Sequence, residues 1–255
     1  MTASISIDSV DRLEAEDLAR ARWYSFFSRW FLAPPDQQAL DLFLRSSAGI
    51  SSDAGVRNLQ AATARSDTPS QTSDTAGNAA STASADSWLE SAWEDFTAAV
   101  AREPLEAIRA SYDDTFISVG EAPVSLHASV YLSGFANERP LAEVRQFLAE
   151  QGIQGSRGGL LTEDHLGLLS EAMAWLIIGR GDEEAGAVGE AGNVGARARG
   201  SDEAQQHLFR HFIGPVCDEF CQRLSETPVA GAYRELGHLF AAFCAVERQA
   251  FEIDL

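Results

Sequence analysis

The chain has 255 residues, enough to bury one large core or two modest ones. It carries 38 acidic residues against 19 basic ones, a net charge of −19, and every basic residue is an arginine. Nucleic acid is excluded as a partner on this balance, because binding phosphate needs clustered positive charge; cationic partners are favoured instead.

The N-terminal stretch MTASISIDSVDRLEAEDLAR has no basic region followed by an apolar one, so it does not read as an export signal. No run approaches the roughly 18 apolar residues of a membrane span, so the expectation is a cytoplasmic protein without membrane insertion. From Asp11 to Leu32, Trp23, Phe26, Phe27, Trp30 and Phe31 recur at helical spacing, and Ala33-Pro34-Pro35 ends the pattern. Asp36 is placed to cap a short helix with Leu40, Phe43 and Leu44. Residues 65–87 have no large apolar side chain and read as a flexible insertion. Helix resumes from Trp88 to Val100, and again behind Pro104 through Leu105, Ile108, Tyr112 and Phe116. The stretch Val119 to Gly134 reads as irregular. Further helices are expected at Arg139–Gln151 and Thr162–Gly179. Residues 181–203, rich in Gly, Ala and Glu, read as a second insertion. Helices at Asp202–Ile213, Val216–Leu224 and Val229–Ile253 complete the chain. The expectation is an all-α, single-domain bundle over residues 1–255, with eight or nine helices and two flexible insertions.

The stretch LTEDHLGLLSEAMAW, Leu161 to Trp175, has the pattern of a helix entrance. Thr162 is a suitable N-cap, and Glu163 and Asp164 complement the positive end of the helix dipole. His165, Leu169, Ala172, Met173 and Leu176 share one stripe, while Asp164 turns towards Leu168, Glu171 and Trp175. An ordinary capped helix explains all of this. The functional reading is an acid and a histidine on the rim of an apolar groove.

The same segment resembles the Glu-x-Asp-His-type motif of the TorD/DmsD/NarJ family of molybdoenzyme maturation chaperones. Trp23-Tyr24-x-Phe26-Phe27 resembles that family's aromatic first helix. Tyr112-x-x-x-Phe116, Pro123 and Ser129-Val130-Tyr131-Leu132 resemble its central segment, and His211-x-x-x-Pro215 followed by Phe220 its C-terminal region. Thr162 stands where the family often has proline, and Val216 where it often has tryptophan. The resemblance implies a chaperone with no catalytic residues, no cofactor and no metal of its own. Its partner would be the catalytic subunit of a molybdopterin oxidoreductase of the dimethyl sulfoxide or trimethylamine N-oxide reductase type, held by its twin-arginine leader before export. The alternative is the branch serving a nitrate reductase. The residues implicated are Asp164, His165 and Tyr131, with Pro123 and Ser129 shaping the loop; Glu163, Leu168 and Glu171 add carboxylates and shape. The chaperone would act as a monomer or homodimer. Arginine suits such a site because its planar guanidinium bonds carboxylates in pairs.

One rival is a metal site from His207, His211, Cys217 and Cys221, each pair four residues apart. The spacing does not match a zinc knuckle. The odd count of three cysteines, with Cys244, suggests reduced, buried thiols. Hydrolase and nucleotide-binding motifs are absent: there is no Gly-x-Ser-x-Gly elbow, and a chain without lysine has no Gly-x₄-Gly-Lys loop. The lysine-free acidic bias also suits a high-salt cytoplasm. There the Debye length falls to about 3 Å at 1 M salt, and charges select partners only at contact range.

Overall fold

Aromatic residues at a spacing of three and four build the centre of this protein. The computed structural model describes residues 15–50, 75–117, 122–134, 139–153, 161–178 and 202–253. Helix α1 (Ala15–Leu32) buries Ala21, Tyr24, Phe27 and Phe31 completely and stops where Pro34 and Pro35 follow. Asp36 Oδ1 then accepts from the Ala39 N–H at 2.7 Å, capping α2 (Gln37–Ile50) as its position implies. Helix α3 spans Thr75–Arg102 and buries Leu89, Phe96 and Val100. Behind Pro104, α4 (Leu105–Tyr112) runs into a π-helical turn, Asp113–Ile117. The Tyr112 hydroxyl donates to the Phe31 carbonyl at 2.9 Å and ties this turn to the end of α1.

A short helix, α5 (Ala128–Ser133), ends on Gly134, whose φ of +85° makes a left-handed C-cap. Helices α6 (Arg139–Glu150) and α7 (Leu166–Ile178) follow. Helix α8 (Asp202–Leu208) passes through a second π-helical turn, Phe209–Ile213, directly into α9 (Gly214–Glu226). A 3₁₀ turn, Pro228–Ala230, leads into α10 (Ala232–Ile253). The largest interface joins α1 to α7, and α10 lies against both α3 and α9. Among the described residues there is no strand, and no helix is long and apolar enough to cross a membrane.

The core is an aromatic lattice. Phe27 packs on Phe31, Phe240 and Phe243 with ring centres 4.9–6.1 Å apart, and Trp23 meets Trp93 edge-on at 5.3 Å. Each such side chain, fully buried, contributes about 2–3 kcal/mol by area before ordering costs. A carboxylate is buried with them. Glu247 on α10 receives Arg20 in a bidentate pair at 2.8 and 3.0 Å and the Tyr24 hydroxyl at 2.8 Å, while Arg20 also donates to Gln205 on α8 at 3.1 Å. That network joins α1, α8 and α10 and satisfies the carboxylate, which burial would otherwise penalise heavily.

The all-α expectation holds, with local differences in where helices begin and end. Helix α3 begins at Thr75, inside the stretch 65–87 read as an insertion, so serine and alanine there support helix on the way into the Trp88 turn. Residues 65–74 and 181–201 lie outside the described residues, while 202 and 203 already belong to α8. The segment read as irregular contains α5, whose six residues are too few for a periodic pattern to stand out. Helix α7 starts at Leu166 rather than Thr162, because His165 takes the capping role.

Candidate functional site

The entrance to α7 and the loop before α5 are sewn together by backbone. Ala128 N–H donates to the Asp164 carbonyl at 2.9 Å and Leu166 N–H to the Leu126 carbonyl at 2.7 Å, forming one antiparallel bridge between His127 and His165. This clasp places the side chains of Asp164 and Ser129 in the same buried space.

Asp164 is 1% exposed and accepts from four groups. The Ser129 hydroxyl makes a very short bond to Oδ2, and the Ser129 N–H donates to the same oxygen at 3.2 Å. The Thr162 hydroxyl donates to Oδ1 at 2.5 Å, and His127 Nδ1 lies 3.3 Å from that oxygen. With its proton committed to Asp164, the Thr162 oxygen accepts from His127 Nδ1 at 3.0 Å, so Nδ1 carries a proton. Burial would raise the carboxyl's pKa, but the hydrogen bonds from His127, Ser129 and Thr162 outweigh it and hold the group well below the usual carboxylate range.

His165 has a different task. Its ring is 3% exposed, and Nδ1 accepts from the Gly167 N–H at 3.1 Å, satisfying one of the N–H groups left open at the start of α7. The imidazole therefore serves as the helix cap, and the rings of His127 and His165 meet edge to face at 5.2 Å. At Gly167 the end of α1 comes close: a Cβ there would lie 2.7 Å from Leu32 Cγ.

These contacts correct the expected rim. Asp164 and His165 do not stand open at a groove; both are buried and bonded internally, because the bridge turns Asp164 towards Ser129 and Thr162. Thr162 is not a cap but a ligand of the aspartate. Glu163 remains at the surface, paired with Arg145 of α6 at 2.7 Å. Pro123 is exposed in the loop, and Leu168 is half-buried. Tyr131 is half-buried, its hydroxyl donating to the Ser125 carbonyl at 2.7 Å and its ring under the Arg223 guanidinium at 5.1 Å. Burial, reinforced by Glu219 and Cys221, outweighs the opposing pull of Arg223 and of that backbone bond and pushes the phenol's pKa up. Glu171 is not part of this cluster. It lines a separate groove with Arg22, Arg29 and Leu42 of α1 and α2.

The residue that spacing missed is His127. Its side chain is 32% exposed, which makes it the surface edge of the Asp164 network. The sequence does carry a histidine in that loop, but nothing local announces that its carboxylate partner lies 37 positions later.

The metal rival fails on geometry. His207 and His211 are exposed, whereas Cys217, Cys221 and Cys244 are buried thiols, with 3.9 Å between the sulfurs of Cys217 and Cys221. Among the described residues no three His, Cys, Asp or Glu side chains are grouped to hold a metal ion.

Compared with known families, residues 82–222 match the family described as nitrate reductase delta subunit. None of the curated proteins compared with the chain matches it. The matched segment covers more than half of the sequence and includes both halves of the Asp164 network, the α5 loop and the entrance to α7. The chain belongs to the nitrate reductase delta subunit family, the NarJ/TorD-like chaperones of molybdoenzyme maturation.

Proposed function

We propose that this protein is a cytoplasmic chaperone that holds the N-terminal twin-arginine leader of a molybdopterin oxidoreductase catalytic subunit, of the dimethyl sulfoxide or trimethylamine N-oxide reductase type. Holding the leader delays export until the cofactor is in place. The observation that carries this reading is the family match across the Asp164 network. The acidic surface agrees with a cationic ligand.

The buried groups act in this reading by holding shape. Asp164, Ser129 and His165 fix the loop and the entrance to α7, while Pro123, His127, Tyr131 and Leu168 offer its outer face. Glu163, paired with Arg145 of α6, adds a carboxylate beside that face. A second reading, a nitrate reductase catalytic subunit recognised by its own N-terminus, is favoured by the description of the matching family.

Calorimetry with synthetic peptides tests the proposal. The expected result is binding of a twin-arginine leader and weakening of about tenfold when Arg-Arg becomes Gln-Gln, the scale of losing one or two charge-assisted hydrogen bonds. Equal binding of the two peptides, or none, overturns it. Tighter binding of a nitrate reductase N-terminal peptide selects the second reading.

A further inference from the structure

A second feature lies one helix away from the Asp164 network. A groove of about 910 Å³ runs between α6 and the α8 segment, with Leu132 and Ser133 of α5 at one end. One wall is a ladder of rings. Phe147 stacks on His207 with centres 4.8 Å apart and planes 22° apart, and His207 meets His211 at 4.3 Å. Three carboxylates border it: Glu143, Glu150 and Glu203. The one arginine among its described lining residues, Arg139, is paired with Glu143 at 2.7 Å. Glu150 accepts from Gln146 at 2.9 Å, and Glu203 stands in the first turn of α8. The groove beside α1 and α2 contrasts with it, since Arg22 and Arg29 line that one.

We infer that the α6–α8 groove is the docking site for the arginine pair of the client's N-terminal segment, with a guanidinium stacked on the His207–His211 rings and its N–H groups bonded to Glu150 and Glu203. This rests on the reading of the protein as a leader-binding chaperone. The charge complementarity is local as well as global. A flat, weakly hydrated guanidinium suits stacked rings in a way that an ammonium does not. Partial burial first, and the neighbouring His211 second, hold the His207 pKa below the ordinary histidine value, against an opposing pull from Glu150. This favours the neutral ring, which does not repel a cation. Leu132, Pro140 and Phe147 give the segment's apolar residues a surface to lie on.

The inference also gives the buried aspartate a route to binding. Helix α5 is six residues long; Ser129 near its start is bonded to Asp164, and Leu132 and Ser133 at its other end close the groove. Asp164 is thus a positioning residue for the groove.

The chain has five histidines, so their imidazole proton resonances can be followed one by one. The probe is the peptide acetyl-Arg-Arg-Ala-Phe-Leu-amide, with its Lys-Lys counterpart as control, added to the full chain. The resonances of His207 and His211 should move with the arginine peptide and move less with the lysine peptide. No movement, or movement confined to His127, His165 or His238, overturns the inference. Glu150 and Glu203 are exposed, so replacing them leaves the fold intact. Glu150→Gln with Glu203→Gln should weaken the arginine peptide about fivefold at low salt, as expected for two exposed charge contacts. Unchanged affinity overturns the inference, as does a double variant that alters only the protein's mass in solution, which would mark the groove as a contact between two copies of the chain. The two proposals fail separately. A full leader that does not bind wild type sinks the leader-binding reading, whereas a leader that binds while His207 and His211 stay unmoved sinks only the groove.

Discussion

At Asp164, burial and hydrogen bonding work against each other, and hydrogen bonding wins. Removing the carboxylate leaves the Ser129 N–H and the hydroxyls of Ser129 and Thr162 without this acceptor, and leaves His127 with the Thr162 oxygen alone. Asp164→Ala should therefore lower stability by about 3 kcal/mol, read from urea unfolding; a loss below about 1 kcal/mol would mean that the network holds nothing in place. The pH dependence follows from the sign of the shift. The folded group titrates below its ordinary value of 3.8, so its stabilisation is fully present above that pH and is lost as pH falls below it. Wild type should lose stability more steeply below about pH 4 than Asp164→Asn, in which that group no longer titrates. Equal slopes would contradict the assignment. At this scale the sequence is legible only in part. The Asp-His pair stands out in Glu163-Asp164-His165, yet adjacent residues point in different directions, and the aspartate's true histidine is His127, brought in by a backbone bridge.

At the scale of elements, the apolar stripes locate the helices because each helix buries one. The spacing of Tyr24, Phe27 and Phe31 is enough to place α1 against the core, and Pro34 is enough to end it. What spacing does not show is how helices begin. Thr162 satisfies the usual rule for a cap, but its hydroxyl is worth more to a buried carboxylate, and the histidine three residues on caps α7 instead. The two π-helical turns, Asp113–Ile117 and Phe209–Ile213, likewise leave no mark in an apolar pattern that tolerates one extra residue. Gly167 is the element-scale test. Its missing side chain lets α1 and α7 approach through Leu32. Gly167→Ala should cost about 1–3 kcal/mol in urea unfolding, because Leu32 must leave its packed position. A neutral or stabilising result, as helix propensity alone would give, would show that the contact yields freely.

For the whole molecule, the balance is between an aromatic core and a net charge of −19. The core sets the fold, which is why an all-α bundle could be read from composition and period together. The net charge of −19 favours a cationic ligand such as the proposed leader, and in strong salt only contact-range groups, as proposed at His207 and Glu150, would select it. The groove escaped the sequence because its walls come from α6 and α8, separated in the chain by α7 and by residues outside those described. In the sequence His207 and His211 have the spacing of a metal pair; the stacking of His207 on Phe147 appears only once α6 lies beside α8.

The central claim is that this protein grips its client by the client's N-terminal segment. The most direct test is co-purification of the full chain with a candidate catalytic subunit, expressed together either intact or without its leader. The intact subunit should be retained with its leader uncleaved, and the leaderless subunit should be lost. Equal retention of both forms would contradict the claim.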